Sequence, residues 1–313
     1  MNKLSALRKA SAFFRDSLKK CAICPRECKV DRSAGKRGYC RAPYNAVVYS
    51  YLAHRGEEPP ISGSKGSGTI FFSGCNMRCV YCQNYSFSQL DGGNEVSTEK
   101  LAEIMLGLQK SGCHNINLVS PTHFVPQIVF ALEVAFEKGL NIPIAYNTGG
   151  YEILETIKAL TGVIDIYMPD MRYSSDAMAK KYSDAPGYLG YNRPAVRQMH
   201  SQVGDLVVGD DGIAKSGLII RLLALPDKIS GTEETLKFIK EEISKTAYLS
   251  VMSQYYPTFK AGDHKEISRG VSRAEYKNVV DACRDLGLNN GWIQEMPPEP
   301  DDKFLGTNIK PRK

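Results

Sequence analysis

From residue 66 onward the chain alternates short apolar runs with longer stretches of helical periodicity, and this alternation narrows the possible folds more than any other feature. Strands are expected near residues 68–73, 115–120, 142–147, 163–168, 217–224 and 247–252. Helices are expected near 98–111, 125–139, 151–160, 175–183, 232–245 and 272–287. Each strand is a brief apolar run, as expected when both faces of a parallel sheet are covered. Strands alternating with helices imply right-handed βαβ units. Six of them predict an α/β fold: a partial (β/α)6 TIM-like barrel of parallel strands, with its chemistry on the loops that leave the strand C-termini. The expected division is an N-terminal helix and metal-binding extension over 1–60, a barrel core over 61–300 and a basic tail over 301–313. Gly92-Gly93 and the 184–192 stretch, rich in Asp, Pro, Gly and Asn, read as loops.

The first strand, with its run Thr69-Ile70-Phe71-Phe72, leads directly into Gly74-Cys75-Asn76-Met77-Arg78-Cys79-Val80-Tyr81-Cys82. Three thiolates at Cys-x3-Cys-x2-Cys spacing can converge on one metal centre but cannot complete a four-thiolate site. Ordinary iron–sulfur clusters have four cysteine ligands. A cubane held by only three leaves one iron open for a further ligand. A zinc site borrowing its fourth ligand elsewhere is the alternative that a Cys-x2-Cys pair alone would leave standing. The extra Cys-x3 step, the preceding strand and Tyr81 favour the cluster.

A second cysteine group precedes the barrel: Cys21-x2-Cys24-Pro25-x2-Cys28, then Gly35-x2-Gly38-x-Cys40. Four cysteines interspersed with turn-forming residues suit a closed four-thiolate site. The metal could be zinc as a structural staple or iron in a second cluster; spacing leaves both open. Residues 1–45 carry twelve Lys/Arg against three Asp/Glu, whereas the whole chain has a formal charge of +6. A basic arm can bind nucleic acid, but its interleaving with cysteines suits charge balance at metal-bound thiolates. Residues 3–20 read as an amphipathic helix with Leu4, Leu7, Phe13, Phe14 and Leu18 on one face. A mitochondrial transit peptide shares this composition. The cysteines beginning at Cys21 leave no disposable linker, so a helix packed on the body is expected. No apolar run approaches the ~20 residues that span a membrane. Nine cysteines without a secretory signal suit a reducing compartment, and the cytoplasm is the expected location.

The remaining candidates gather at strand ends: Ser120-Pro121-Thr122-His123, Asn147-Thr148-Gly149-Gly150, Met168-Pro169-Asp170-Met171-Arg172, Arg221 within the fifth strand, and Ser253-Gln254-Tyr255-Tyr256. Such groups suit a zwitterionic, ribose-bearing ligand. His123, facing a mouth, could move protons. Cys113 and Cys283 sit in helical patterns and read as core thiols.

Together, over about residues 21–297, these motifs resemble the pyruvate formate-lyase activating enzyme branch of the radical S-adenosylmethionine (radical SAM) superfamily. The resemblance implies a [4Fe–4S] cluster on Cys75, Cys79 and Cys82, with S-adenosyl-L-methionine (SAM) on its open iron. It implies reductive cleavage of SAM to a 5′-deoxyadenosyl radical that abstracts hydrogen from a substrate. It places Tyr81 beside the adenine, and Asn147, Thr148, Met168, Asp170, Arg172 and Arg221 around SAM. The family's Gly-Gly-Glu-Pro stretch is replaced by residues 120–123, leaving Ser120 and Thr122 as candidates for the SAM amino group. Asn147 stands where the family has Asp, which removes a charge from its small-cation site. The implied partners are a low-potential electron donor such as flavodoxin or ferredoxin and a substrate that is a protein loop or a small molecule; neither a membrane nor nucleic acid is the expected partner. Activation of a glycyl radical enzyme is implied by branch. The alternatives are a radical SAM enzyme modifying a small molecule, peptide or RNA, and a non-enzymatic metal-stabilised module that binds nucleic acid.

Overall fold

The computed structural model describes residues 2–296; the expected 301–313 tail and the last four residues of the expected core lie outside the described residues. In chain order the elements are α1 (Lys3–Phe14), β1 (Ala46–His54), α2 (Pro59–Ser62), β2 (Ser67–Phe72), α3 (Tyr85–Ser88), β3 (Asn94–Val96), α4 (Thr98–Lys110), β4 (Ile116–Val119), α5 (Val125–Glu137), β5 (Ile144–Thr148) and α6 (Leu154–Ala159). They continue with β6 (Ile166–Pro169), α7 (Asp176–Ser183), α8 (Tyr188–Val203), β7 (Val207–Val208), β8 (Ala214–Leu223), α9 (Thr232–Glu242), β9 (Tyr248–Met252), α10 (Arg273–Asp285) and β10 (Gly291–Ile293).

The six expected strands are β2, β4, β5, β6, β8 and β9, and they lie side by side in that order, each parallel to the next. This is the anticipated α/β partial barrel. The sequence reading missed its margins. β10 adds a parallel strand beside β9, while β1 pairs antiparallel with β2 and carries β3 on its outer edge. Because Ala46–His54 hydrogen-bonds to β2, the sheet begins before the boundary expected at residue 60.

Local chemistry explains the helix starts. Asn2 caps α1 by accepting the Ser5 N–H at 2.8 Å, and Ser97 and Ser175 cap α4 and α7 in the same way. Ser272 and Glu275 form a reciprocal capping box on α10. α1 ends at Phe14 instead of running to residue 20, and it packs on α5 through Ala6, Leu7, Ala10 and Phe14. Phe13, expected on the apolar face, is 56% exposed. The stretch read as a loop at 184–192 is helical from Tyr188. α8 tolerates Gly190 and an internal Pro194 because tertiary bonds anchor its start. Buried Asn192 donates to the Gly150 and Asp170 carbonyls at 3.0 Å, and the Tyr188 hydroxyl donates to the same Asp170 carbonyl.

Side chains alternate across each strand. On one face Ile116, Leu118, Ile144, Tyr146, Tyr167, Leu218, Ile220, Leu222, Leu249 and Val251 join the helix residues in the main core. Each large apolar side chain buried there contributes about 1.5–3 kcal/mol. The opposite parity carries Thr69, Asn117, Ala145, Asn147, Met168, Ile219, Arg221 and Ser250. This inner face sets polar side chains beside a small apolar cluster of Ala145, Ile166, Met168 and Ile219. Cys113 and Cys283 are buried core thiols, as expected. Among the described residues no helix is long and apolar enough to cross a membrane.

Candidate functional site

The loop after β2 leaves the sheet at its C-terminal mouth. Gly74 makes the turn with φ +80°, and its N–H donates to the Phe87 carbonyl at 2.9 Å. The loop then docks on the end of α7: Arg78 N donates to Ser183 O, and Val80 N to Tyr182 O, both at 2.9 Å. Cys79 is buried, and Cys75 and Cys82 are half-buried. Each sulfur faces a polar neighbour: Met77 N–H reaches Cys75 Sγ at 3.4 Å, Ser183 Oγ donates to Cys79 Sγ at 3.0 Å, and Ser88 Oγ lies 3.3 Å from Cys82 Sγ. Burial and then the neighbouring Cys79 push the Cys75 thiol up to about 12 and the Cys82 thiol to about 11. Metal ligation requires thiolates, so a bound cation offsets that cost.

Tyr81 is buried beside Cys79. Its hydroxyl meets that of Tyr173 at 2.5 Å, which in turn lies 2.7 Å from Ser183 Oγ, and its ring packs edge-on against Tyr255 at 5.6 Å. This aromatic wall packs against the cysteine loop.

The strand-end candidates divide into two groups. Asn147, Met168, Asp170, Arg172 and Arg221 come together on or above the inner face. Asn147 is paired with Met168 across β5 and β6, and Asp170 forms a bridge with Arg221. Arg221 donates to Asn147 Oδ1 at 2.8 Å and lies 3.2 Å from Glu58 and 3.7 Å from Asp170. Asp170 also pairs with Arg172, whose other terminal nitrogen faces Cys79 Sγ at 3.9 Å. Burial opposes both guanidinium charges, yet the acidic partners, foremost Glu58 for Arg221 and Asp170 for Arg172, raise both above the usual arginine range.

Thr122 and Thr148 form the second group, and they point elsewhere. Thr148 shares the parity of Tyr146, and both threonine hydroxyls donate to Glu152 Oε1, at 2.6 and 2.5 Å. Ser120 closes the corner between β4 and the next segment with φ +57°. His123 is fully buried below the mouth. Its Nε2 bonds Ser73 O at 2.7 Å, and burial lowers its pKa to about 4, so it is a neutral structural imidazole.

Sequence reasoning missed Glu58, Glu152 and Asn117. Glu58 is 3% exposed and Glu152 is 0% exposed, so each is a carboxyl that burial penalises without a partner. The signal available was an acid in a turn: the Glu57-Glu58 pair before Pro59-Pro60, and Glu152 just past Gly149-Gly150. Several buried polar atoms around the inner face have no hydrogen-bond partner, namely Glu58 Oε2, Asn117 Oδ1, Arg172 Nε and Ser250 Oγ. Native interiors seldom leave such groups orphaned, so they fit a polar ligand seated above the sheet. Three thiols with aimed donors, a cation beside Cys79 and these orphans fit a cluster and a charged organic ligand.

The remaining four cysteines, Cys21, Cys24, Cys28 and Cys40, line one small cavity against the back of this loop.

An α/β partial barrel with a three-thiol loop at its C-terminal mouth defines the class of the protein. Residues 69–184 match the model of the Radical SAM superfamily. This supports SAM-dependent radical chemistry with the [4Fe–4S] cluster and SAM that the superfamily implies. An uncharacterized protein of Methanocaldococcus jannaschii is 27% identical over 285 residues, covering 88% of this chain and 77% of that protein. A second uncharacterized protein of the same organism is 27% identical over 183 residues, covering 53% of each. The fold is similar to that of a radical SAM methyltransferase from Sphaerobacter thermophilus, with a TM-score of 0.50 at 14% identity, over 72% of this chain and 65% of the methyltransferase chain.

Proposed function

We propose that this protein is a radical SAM enzyme whose cluster is held by Cys75, Cys79 and Cys82 and whose SAM lies over the inner face of the barrel. The observation that carries the reading is the meeting of a buried three-thiol loop with the Arg172–Asp170–Arg221 chain at one mouth. When bound, the cluster supplies one electron and an open iron, and SAM supplies the 5′-deoxyadenosyl group that takes hydrogen from the substrate. Arg172 and Arg221 are fixed cations suited to a carboxylate. Asp170, Glu58 and Asn147 offer acceptors to an amine or to hydroxyls. Met168 lines the floor, and Tyr81, backed by Tyr173 and Tyr255, excludes water on the adenine side. Thr122 and Thr148 act through Glu152, and Ser120 shapes the corner of the mouth.

The finer reading is an activase: the hydrogen donor is a protein loop, and electrons come from a low-potential flavodoxin or ferredoxin. The strand-end motifs, which follow one another as in the activating-enzyme branch, support it, whereas a four-cysteine segment placed ahead of the three-cysteine loop counts against it. Free thiols at all nine cysteines favour a reducing compartment, with the cytoplasm as the proposed location.

The test is anaerobic reconstitution, dithionite reduction and assay of 5′-deoxyadenosine after adding SAM. Product that disappears in Cys79→Ala supports the proposal; a fully reconstituted protein that never cleaves SAM rejects it. A glycyl radical seen by EPR on a co-incubated protein separates activase from modification of a small molecule, peptide or RNA.

A further inference from the structure

We propose that Cys21, Cys24, Cys28 and Cys40 hold a second iron–sulfur cluster, ligated by four protein thiolates, and not a zinc ion. All four side chains line the same cavity, together with Arg26, Arg32 and Gly38. The segment has no regular secondary structure. It is pinned by a two-bond clasp, Cys21 N to Val30 O at 2.9 Å and Lys29 N to Cys21 O at 2.8 Å. Backbone N–H groups face the sulfurs: Tyr39 reaches Cys28 Sγ at 3.3 Å, and Arg26 and Ala42 serve Cys24 and Cys40. Gly38 is required, since a Cβ there would lie 2.7 Å from Cys28 Sγ. This is a cradle built for thiolate ligands.

Size selects the occupant. Zinc draws four sulfurs to about 2.3 Å from a common centre, and sulfurs that close leave no water-sized gap among them. The cavity at the four cysteines is about 10 Å³, close to the room one water molecule needs on the same measure. Among the described residues, no group of three or more His, Cys, Asp or Glu side chains is arranged to hold a single metal ion. That statement covers Cys75, Cys79 and Cys82 as well, in a domain whose superfamily implies a four-iron cluster. His123, which also lines the cavity, donates through Nε2 to Ser73 O.

The second site shares a wall with the first. Arg26, between Cys24 and Cys28, donates through Nε to Asn76 O at 2.8 Å, between Cys75 and Cys79. On the other side, a Cβ on Gly74 would lie 2.6 Å from the Cys40 carbonyl oxygen.

The test leaves the N-terminal cysteines intact. Cys75, Cys79 and Cys82 are replaced together by alanine, and the full chain is reconstituted anaerobically with iron and sulfide. The expected result is about four irons per chain, against about eight in the parent, with a reduced-state EPR signal that SAM does not alter because no iron is open. One zinc per chain, or no iron, in that variant overturns the proposal. In a complementary arm Cys24→Ser and Cys40→Ser are made in the parent. Iron is expected to fall by half while a SAM-sensitive signal persists; iron unchanged in this arm also overturns the proposal. Failure of the radical SAM reading looks different, because the triple alanine variant would then hold as much iron as the parent.

Discussion

Replacing Glu152 with glutamine offers a direct test of the buried network beneath the barrel mouth. The carboxyl has no exposure. Its Oε1 accepts hydroxyls from Thr122, Thr148 and Tyr146, while Oε2 has no partner. Burial is the larger effect and raises the pKa from 4.5 to about 7; the three hydroxyls pull it the other way. A folded-state pKa above the unfolded one means that the folded protein holds the proton more tightly. The associated stability is complete below about pH 4.5 and is lost as pH rises through about 7. At about 1.4 kcal/mol per pH unit, this window amounts to roughly 3 kcal/mol. Glutamine does not titrate and lacks the effect. Negative charge at the nearby Cys24 site would push the carboxyl further in the same direction, so the sign holds with metal bound. The assay is anaerobic urea unfolding of parent and Glu152→Gln across this range. The parent should lose roughly 3 kcal/mol relative to the variant between pH 4.5 and 7.5. An infrared band from its protonated carboxyl should disappear near neutrality and be missing in the variant. A parent–variant gap that stays constant with pH would refute the reasoning.

Three further outcomes follow from the geometry. Gly74→Ala places a Cβ against the Cys40 carbonyl at a φ of +80°, and should cost about 1–3 kcal/mol, seen as a lower thermal midpoint with iron lost from both cysteine sets. Arg221→Met strands Glu58 without a partner and removes one of two cations from Asp170, so stability by denaturant titration should fall by about 3–5 kcal/mol. Ser183→Ala deletes the hydroxyl 3.0 Å from Cys79 Sγ. Stability should change by no more than about 1.5 kcal/mol. Iron affinity at the three-cysteine loop should drop by about 10–100-fold. Unaltered iron retention would mean that the contact does not support the metal.

The parallel core could be read from the sequence because each strand is an apolar run closed by turn residues and followed by a helical period. β1 escaped because it pairs antiparallel at the margin with one face half-exposed, outside the repeating pattern. β3, β7 and β10 are two or three residues long, too short to show a period. α8 was hidden by Gly190 and Pro194, whose local preference is overridden by the buried bonds of Asn192 and Tyr188. At the site, the cysteine loop was legible because its spacing follows a strand directly. The division among the polar candidates was not, since it depends on strand parity: Asn147 faces inward, whereas the next residue, Thr148, turns toward Glu152. Glu58 could not be linked to Arg221 without knowing that the segment before β2 folds back across β8.

Arg26 gives the two cysteine segments a common fate. Its guanidinium stacks over the Tyr39 ring at 3.6 Å and bonds carbonyls of Asn76 and Asp184, so one side chain spans the N-terminal loop, the three-cysteine loop and the end of α7. Whatever orders one loop narrows the freedom left to the other. Thermodynamic linkage then makes the influence mutual: if occupancy of the N-terminal thiols strengthens iron capture by Cys75, Cys79 and Cys82 by some factor, capture there strengthens the N-terminal site by that same factor. A factor above one makes assembly cooperative, raising the share of fully metallated and empty chains relative to half-filled ones.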